Sequence, residues 1–321
     1  MIHKQRFLEI TDKFKNKNIA VIGDLMLDTY IWGKAARISP EAPVPIVNID
    51  SIDYNPGGAA NVALNLVNMG AKASLIGRIG DDTEGRILND LIKNKGINPD
   101  GILVDHGIPT IVKSRIIAQG QQIVRADREK KGNLSSELRT RLLSILEKTL
   151  KSCQAVILED YNKGVLFKES ILEILTLAHN FNIPVYVDPK EKNFLDFKNV
   201  RLFKPNLNEF QSAFFRGGDF EKKGQELRQN LGADLVLVTR GEDGMSLFGK
   251  DGNHHFPTKA RHVHDVSGAG DTVIATFTLA DISGAAIEES AFLANYAAGR
   301  VCEEVGVVPV SMEMLADSAG H

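Results

Sequence analysis

The chain has 321 residues, 43% of them hydrophobic and 25% charged, and its 38 basic and 41 acidic side chains give a net charge of −3. This is an ordinary globular composition, long enough for one large domain or two small ones, with no basic field that would predict nucleic-acid binding. The two cysteines are far apart, no apolar run reaches about eighteen residues, and the N-terminus lacks an apolar core; we therefore expect a cytoplasmic protein without a disulfide framework, membrane span or signal peptide.

Short β-rich runs alternate with stretches of helical apolar spacing along most of the chain. The predicted strands are residues 19–23, 73–78, 155–159, 185–188, 202–204 and 234–239, and the predicted helices are residues 58–69, 82–95, 135–150, 168–180, 206–215 and 221–231. This alternation predicts an α/β fold, a mostly parallel sheet with helices on both faces. Sites in such sheets lie at the carboxyl ends of the strands, where the polar residues are Asp24, Asp160, Asp188, Asn206 and Arg240.

Two segments, residues 29–52 and 101–128, break the alternation with extended runs and turn residues. We predict that they form a small separate β-sheet, a lid that shields a reaction from water; the alternative is an elaborated sheet edge without motion. No repeat or linker divides the chain, so we expect residues 1–321 to form one domain with this lid. Free sheet edges and the apolar residues Ile46, Val47 and Ile49 predict a homodimer formed by the lids.

Two glycines stand at the start of the helix predicted at residues 58–69, in the run Gly57-Gly58-Ala-Ala-Asn61. Glycines allow a close approach of the backbone to a ligand, and Asn61 offers both a donor and an acceptor, as sugar hydroxyls require. On the residues alone, a simple turn before a helix explains the run equally well. Upstream, Asp24 and Asp28 follow the first predicted strand, where an acid can accept hydrogen bonds from adjacent hydroxyls.

The run Asn206-Leu-Asn-Glu209 follows the predicted strand at residues 202–204. Its spacing places Asn206 and Glu209 on one face of a first helical turn, where they could orient a phosphate-bound Mg²⁺ through water. A capping box, with Asn at the N-cap and Glu three residues later, explains the same spacing. Both interpretations can hold at once.

Residues 265–271 read Asp-Val-Ser-Gly-Ala-Gly-Asp and precede apolar residues at helical spacing. The small residues Gly268, Ala269 and Gly270 therefore lie at a helix N-terminus, where free N–H groups and the helix dipole attract anions. Asp271 would repel such an anion unless it takes a proton from a hydroxyl while the amides hold a phosphoryl group. The alternative is an ordinary first-turn Asp after a glycine-rich turn.

Other phosphate-binding motifs are absent from the sequence. No Gly-x-x-x-x-Gly-Lys-Ser/Thr run occurs, and the Gly268-Ala-Gly270 run lacks the rest of a dinucleotide fingerprint, which disfavours P-loop enzymes and dinucleotide oxidoreductases. Instead, the 265–271 run resembles the C-terminal motif of the ribokinase-like (PfkB) carbohydrate kinases, and the Gly57–Asn61 run resembles their N-terminal motif. The order of the two motifs in the chain is also that of the family.

This resemblance implies a ribokinase-like three-layer αβα sandwich with a β-sheet lid, and a role for each matching residue. Asp271 would be the catalytic base, the amides around Gly268–Gly270 the anion hole, and Asp24, Gly57, Gly58 and Asn61 the sugar site. ATP and Mg²⁺ are implied as cofactors. The nucleotide-binding residues would be Asn206, Glu209 (also the metal ligand, through water), Thr239, Gly241 and Asn295. Without the resemblance, residues 239–244 predict a hairpin turn and Asn295 an ordinary position in a helix at 287–305.

A finer resemblance lies in the predicted lid. Residues 37–45, 122–128 and 160–164 are similar to runs in heptose 7-phosphate kinases of lipopolysaccharide core synthesis, with a departure at Asn162, where Gly is usual. A phosphorylated sugar suits four cations of the predicted lid and strand ends, Arg37, Lys113, Arg115 and Lys163, among which the resemblance favours Arg37 and Lys163. No His-x-Gly-His run of the nucleotidyltransferase that many relatives carry occurs, so we expect adenylylation to need a separate protein.

The sequence therefore predicts an ATP-dependent kinase that phosphorylates the anomeric hydroxyl of D-glycero-D-manno-heptose 7-phosphate. Another sugar, such as ribose, fructose or a fructose phosphate, is the first alternative. A non-catalytic sugar-phosphate sensor on the same fold is the second, although the intact motifs disfavour it. We expect neither nucleic acid nor a membrane as a partner.

Overall fold

The computed structural model describes residues 2–215, 217–258, 265–304 and 306–320. Its strands are β1 (Asn18–Ile38), β2 (Pro45–Gly58), β3 (Lys72–Gly80), β4 (Asn98–Asp105), β5 (Ile111–Ala118), β6 (Gln121–Arg128), β7 (Ala155–Glu159), β8 (Val185–Asp188), β9 (Leu202–Phe203), β10 (Leu235–Thr239), β11 (Met245–Gly249) and β12 (Gly252–Phe256). Its α-helices are α1 (Lys4–Thr11), α2 (Ala59–Asn68), α3 (Thr83–Asn94), α4 (Ser136–Leu150), α5 (Lys168–Asn180), α6 (Leu207–Ala213), α7 (Phe220–Leu231), α8 (Ala269–Ile282), α9 (Ile287–Cys302) and α10 (Met312–Ala316).

The main sheet has the strand order β12-β11-β10-β9-β8-β7-β1-β3-β4. Pairing is parallel from β10 to β4, and the hairpin strands β11 and β12 add antiparallel pairs at one edge. Every residue of β7 and β8 is buried, as expected where helices cover both faces of a parallel sheet. The predicted α/β sandwich is confirmed.

Two hydrophobic cores, one on each face of the sheet, make this sandwich. Successive residues of a strand point to opposite faces: Ile157 packs in the core with α2, α8 and α9, whereas Val156 and Leu158 pack in the core with α4 and α5. The N-terminus of α8 thereby meets the carboxyl ends of the central strands. No helix in the described parts of the chain is long and apolar enough to span a membrane.

A side sheet with the order β2-β1-β5-β6 projects from the main sheet. The 21-residue strand β1 belongs to both sheets: it pairs with β3 as far as Asp24 and with β5 from Met26 onward. The second predicted lid segment, residues 101–128, begins too early, because residues 101–105 lie in β4 and pair with β3 in the main sheet. Its remaining strands, β5 and β6, belong to the side sheet.

Several predicted elements match closely, and others differ at their ends. The helix predicted at residues 58–69 is α2 and that at 82–95 is α3, each shortened by its cap residues. The helix predicted at residues 287–305 ends at Cys302, and its last predicted residue, Val305, lies outside the described residues. The hairpin turn predicted at residues 239–244 is confirmed, since β10 and β11 pair in antiparallel fashion across it.

Candidate active site

Three carboxylates converge where the central strands end. Glu159 and Asp188 are the last residues of β7 and β8 and are register partners. Asp271 comes from the first turn of α8, above these strand ends. One oxygen from each of the three lies within 4.8 Å of the others. The parallel sheet and α8 thus bring together residues from three segments that are far apart in the chain.

Small residues let the start of α8 approach this cluster. Gly268 has φ = 81° and precedes the helix, and a Cβ there would lie 3.0 Å from Asn61 Nδ2. A Cβ on Gly270 would lie 3.5 Å from Lys204 Nζ. Ala269 donates its N–H to the carbonyl of Val266. The N–H groups of Gly270 and Asp271 begin the helix and therefore have no intrahelical acceptor, the arrangement that receives anions.

The carboxylate of Asp271 is held by two donors. Asn61 Nδ2 donates to Oδ2 at 2.7 Å, and the hydroxyl of Tyr161 donates to Oδ1 at 3.1 Å. The side chain is 5% exposed. Burial, reinforced by the charge of Asp188, raises the pKa of Asp271 to about 6, against the lowering effect of the Asn61 hydrogen bond and of Lys204. A carboxylate in this range can accept a proton near neutral pH, as a general base must.

Two lysines balance the acidic cluster. Lys204, which follows β9 and is 2% exposed, pairs with Asp188 at 2.8 Å. Lys190 forms an ion pair with Glu209. Burial and the neighbouring charges of Asp188 and Asp271 hold the pKa of Glu159 well above its usual range. Protonation of Glu159 would relieve the repulsion that three adjacent carboxylates create.

The Asn206–Glu209 spacing forms a capping box, as one of the two sequence interpretations predicts. Asn206 Oδ1 accepts the N–H of Glu209, and the Glu209 carboxylate accepts the N–H of Asn206, both at 2.8 Å. The other Glu209 oxygen pairs with Lys190. Because protein donors contact both oxygens, Glu209 suits a metal held through water; the carboxylates around Asp188 supply the hard oxygen ligands that Mg²⁺ prefers. The metal role stays a prediction.

Asp24 holds the loop that follows β7. Its two carboxylate oxygens accept the backbone N–H groups of Tyr161, Lys163 and Val165 at 3.0, 2.9 and 3.1 Å. This loop also contains Asn162, whose φ of 56° lies in the left-handed region. That conformation explains why either Gly or Asn suits the position. Asp24 therefore positions Tyr161 beside Asp271, and its contact with a sugar stays a prediction.

The glycine pair lies at the end of β2 and fits tightly against β1. A Cβ on Gly57 would overlap the carboxylate of Asp28, and one on Gly58, whose φ is 61°, would overlap the carbonyl of Asp24. Asn61, in the first turn of α2, reaches Asp271 from this corner. The two sequence motifs of the predicted site, 210 residues apart, are thus joined by a hydrogen bond.

The predicted nucleotide residues lie along the other side of Asp188. Thr239, at the end of β10, forms a bridge with Asn206. Gly241 follows with φ = 58° in the turn before β11. Asn295, in α9, is 5% exposed and donates to the carbonyl of Pro257 at 2.7 Å. The structure therefore places Thr239 and Asn206 together, whereas Asn295 fastens the segment that follows β12.

The predicted phosphate ligands differ in their surroundings. Arg37 is exposed near the end of β1, far along the side sheet. Lys163 forms an ion pair with Glu129 at 2.6 Å, and Arg115 forms one with Asp28 at 2.6 Å. Lys113 lies 5.0 Å from the centre of the Tyr161 ring.

Sequence reasoning missed four residues that contact the centre: Glu159, Tyr161, Lys190 and Lys204. All four lie at or just after the ends of central strands, where polar side chains are expected to meet in a parallel sheet. That signal identifies the positions but not the partners, because the contacts join distant segments. Only the order of the strands brings them together.

A sandwich of this topology, with a buried carboxylate beside free amides at a helix start, defines a phosphotransferase with a hydroxyl acceptor. A sequence model of the pfkB family carbohydrate kinases matches residues 16–313. The chain belongs to this family of carbohydrate kinases.

Known proteins similar to the chain agree with this assignment. The chain is 41% identical over 304 residues to a "Bifunctional protein HldE" of Helicobacter pylori, and this match covers 94% of the chain and 66% of that protein. It is 42% identical to the HldE of Coxiella burnetii, of which it covers 63%. The chain therefore spans slightly less than two thirds of the length of these relatives.

Solved structures share the fold at lower identity. The ribokinase of Arabidopsis thaliana, complexed with ribose and ATP, has a TM-score of 0.74 and 18% identity, over 95% of this chain and 99% of that one. The phosphofructokinase-2 of Escherichia coli, in complex with potassium, has a TM-score of 0.77 and 18% identity, over 95% of this chain and 98% of that one.

Proposed function

We propose that the chain transfers the γ-phosphoryl group of ATP to the anomeric hydroxyl of D-glycero-D-manno-heptose 7-phosphate, giving heptose 1,7-bisphosphate and ADP. The observation that carries the chemistry is the carboxylate of Asp271, buried beside the free N–H groups of the first turn of α8. The heptose substrate is supported by the resemblance of residues 37–45 to heptose 7-phosphate kinases and by the 40–42% identity to HldE proteins.

Asp271 takes the proton of the acceptor hydroxyl as the oxygen attacks the phosphorus. The bond between the γ-phosphorus and the bridging oxygen of ADP breaks in the same transfer, and the N–H groups of Gly270 and Asp271 stabilise the charge on the phosphoryl oxygens. Asn61 and Tyr161 fix the carboxylate. Each carboxylate oxygen keeps a second lone pair, so the hydroxyl can donate to Asp271 without displacing either residue.

An unpartnered acceptor beside Asp271 supports a hydroxyl-bearing substrate. Asn61 Oδ1 is buried and accepts no hydrogen bond within the described residues. A buried amide oxygen without a donor is costly, and a sugar hydroxyl is a donor of suitable size. Asn61 would therefore hold the sugar with its oxygen while its Nδ2 orients the base.

The nucleotide would lie on the side of Asp188 that faces Asn206, Thr239 and Gly241, and Asn295 would line the adenine pocket. Asp188, and Glu209 through water, are the residues that would hold Mg²⁺. When bound, the ion neutralises the charge of the nucleotide phosphates.

Turnover on a panel of sugars tests this function. ADP release would be measured with heptose 7-phosphate, unphosphorylated heptose, ribose, fructose and fructose 6-phosphate, with Asp271→Asn as the inactive control. We expect heptose 7-phosphate to give the highest kcat/KM. A preference for an unphosphorylated pentose would overturn the heptose assignment. If no sugar leads to ADP release, the chain would instead be the non-catalytic sugar-phosphate sensor.

The side sheet would act as the lid and as a dimer interface. It exposes the apolar side chains of Ile38, Ile49, Ile52 and Val124, with exposed fractions of 63%, 57%, 44% and 46%. Apolar surface of this kind is typical of protein contacts. Light scattering at micromolar concentration should therefore give the mass of two chains; the mass of one chain would contradict the proposal.

A further inference from the structure

On strands β5 and β6 of the side sheet, every cation except Lys113 is paired with a carboxylate. Arg115 pairs with Asp28 and Arg125 with Asp127, each at 2.6 Å. Lys113 lies two residues before Arg115 on β5, with Asp28 and Asp127 as its register partners on the neighbouring strands, yet no carboxylate of the described chain lies within 4.0 Å of its Nζ. Its charge is therefore free to meet an anion that the chain itself does not supply.

The surroundings of Lys113 make an anion favourable. The side chain is half-buried. Burial and the nearby charges of Arg125 and Arg115 lower the pKa of Lys113, against the opposing effects of Asp28 and Asp127. The two neighbouring carboxylates already pair with arginines, and a partly desolvated ammonium is destabilised unless a further opposite charge joins it. A phosphate would supply that charge and accept its hydrogen bonds.

The position of Lys113 relative to Asp271 matches a sugar phosphate. Lys113 Nζ lies 5.0 Å from the centre of the Tyr161 ring, and the hydroxyl of that ring donates to Asp271 at 3.1 Å. The cation thus lies over the face of the six-membered ring whose hydroxyl contacts the base. A sugar is of similar size, so its reacting hydroxyl can meet Asp271 while its far end meets the side sheet.

We propose that Lys113 binds the phosphate that the acceptor sugar carries at the end opposite to its reacting hydroxyl, an inference that rests on the proposed function. Lys113 takes this role in place of Lys163, whose charge is neutralised by Glu129 at 2.6 Å, and of Arg37, which is exposed. The residue would make the enzyme select phosphorylated over unphosphorylated acceptors.

The test compares kcat/KM for heptose 7-phosphate and for unphosphorylated heptose in Lys113→Met, which keeps the length of the side chain and removes its charge. We expect the preference for the phosphorylated sugar to fall about tenfold to a hundredfold, mainly through KM, because a charge-assisted hydrogen bond is lost. The KM for ATP should stay constant. Lys113→Arg should restore most of the preference, and Lys34→Met, at an exposed position of the same sheet, should leave it unchanged.

Other outcomes separate the two proposals. If Lys113→Met keeps the wild-type preference, or if Arg37→Met loses it while Lys113→Met does not, the role of Lys113 is refuted and the heptose kinase stands. If the wild type acts on a different sugar phosphate, the heptose assignment fails, and the same ratio measured with that sugar and its unphosphorylated form still tests Lys113. A wild type that prefers an unphosphorylated sugar refutes both. Circular dichroism confirms that each variant is folded.

Discussion

Replacing Asp271 by Asn should lower activity and raise stability at the same time. The substitution keeps the shape of the side chain and removes its ability to take a proton. Loss of such a group costs about 10²–10⁴-fold in rate, which corresponds to about 3–5 kcal/mol in the activation barrier. ATP binding should remain near the wild-type affinity, because the amides of the α8 start are unchanged.

The stability gain follows from the raised pKa of Asp271. A tenfold change in proton affinity is worth about 1.4 kcal/mol, so raising the pKa from 3.8 to about 6 destabilises the folded wild type by about 3 kcal/mol at neutral pH. The amide keeps one acceptor oxygen for Asn61 or Tyr161, and the hydrogen bond it loses offsets about 1 kcal/mol. Asp271→Asn should therefore be more stable by about 2 kcal/mol.

The sign of the pH dependence is fixed by the direction of this shift. The folded state binds the proton of Asp271 more tightly than the unfolded state, so the stability of the wild type falls as pH rises from about 4 to about 6. The stabilisation of Asp271→Asn should appear over the same range. Urea denaturation at about pH 4 and about pH 7.5 measures it, and ADP release measures the rate. A variant that is destabilised at neutral pH, or that keeps wild-type turnover, would refute the reasoning.

Two further predictions concern the groups around the base. Tyr161→Phe removes a hydrogen bond that lowers the pKa of Asp271, so the acidic limb of the kcat/KM profile should move to higher pH; a limb that stays near pH 6 would show that Tyr161 does not act on the base. Gly57→Ala should lower the free energy of unfolding by more than about 1 kcal/mol, because its Cβ overlaps the Asp28 carboxylate. Gly132→Ala, where a Cβ meets nothing within 4 Å, is the matched control, and equal effects of the two in urea denaturation would contradict the packing argument.

Local patterns in the sequence were sufficient for much of the fold. The alternating runs predict the parallel sheet because apolar periodicity depends on residues close together in the chain. The Asn206–Glu209 capping box and the hairpin turn after Thr239 likewise depend on neighbouring residues, and both are present in the structure. Apolar periodicity did not reveal that β1 continues from one sheet into the other, because that depends on its pairing with β3 as far as Asp24 and with β5 from Met26 onward.

The site depends on contacts that no local pattern contains. Tyr161 meets Asp271 across 110 positions, and their contact requires Asp24 to hold the loop after β7. Charge pairing also depends on distant residues. The sequence shows that Lys113 and Lys163 are cations, but only the structure shows that Glu129 pairs with Lys163 and that Lys113 has no such pair among the described residues. The side-chain positions therefore favour Lys113 over Lys163 as the ligand of the substrate phosphate.

Mass spectrometry of the reaction products tests the central claim most directly. The chain would be incubated with heptose 7-phosphate, ATP and Mg²⁺, with Asp271→Asn in parallel, and the products separated and weighed. We expect a heptose bisphosphate and an equal amount of ADP from the wild type, and almost none from the variant. No bisphosphate from a wild type that phosphorylates ribose or fructose, or equal yields from Asp271→Asn, would contradict it.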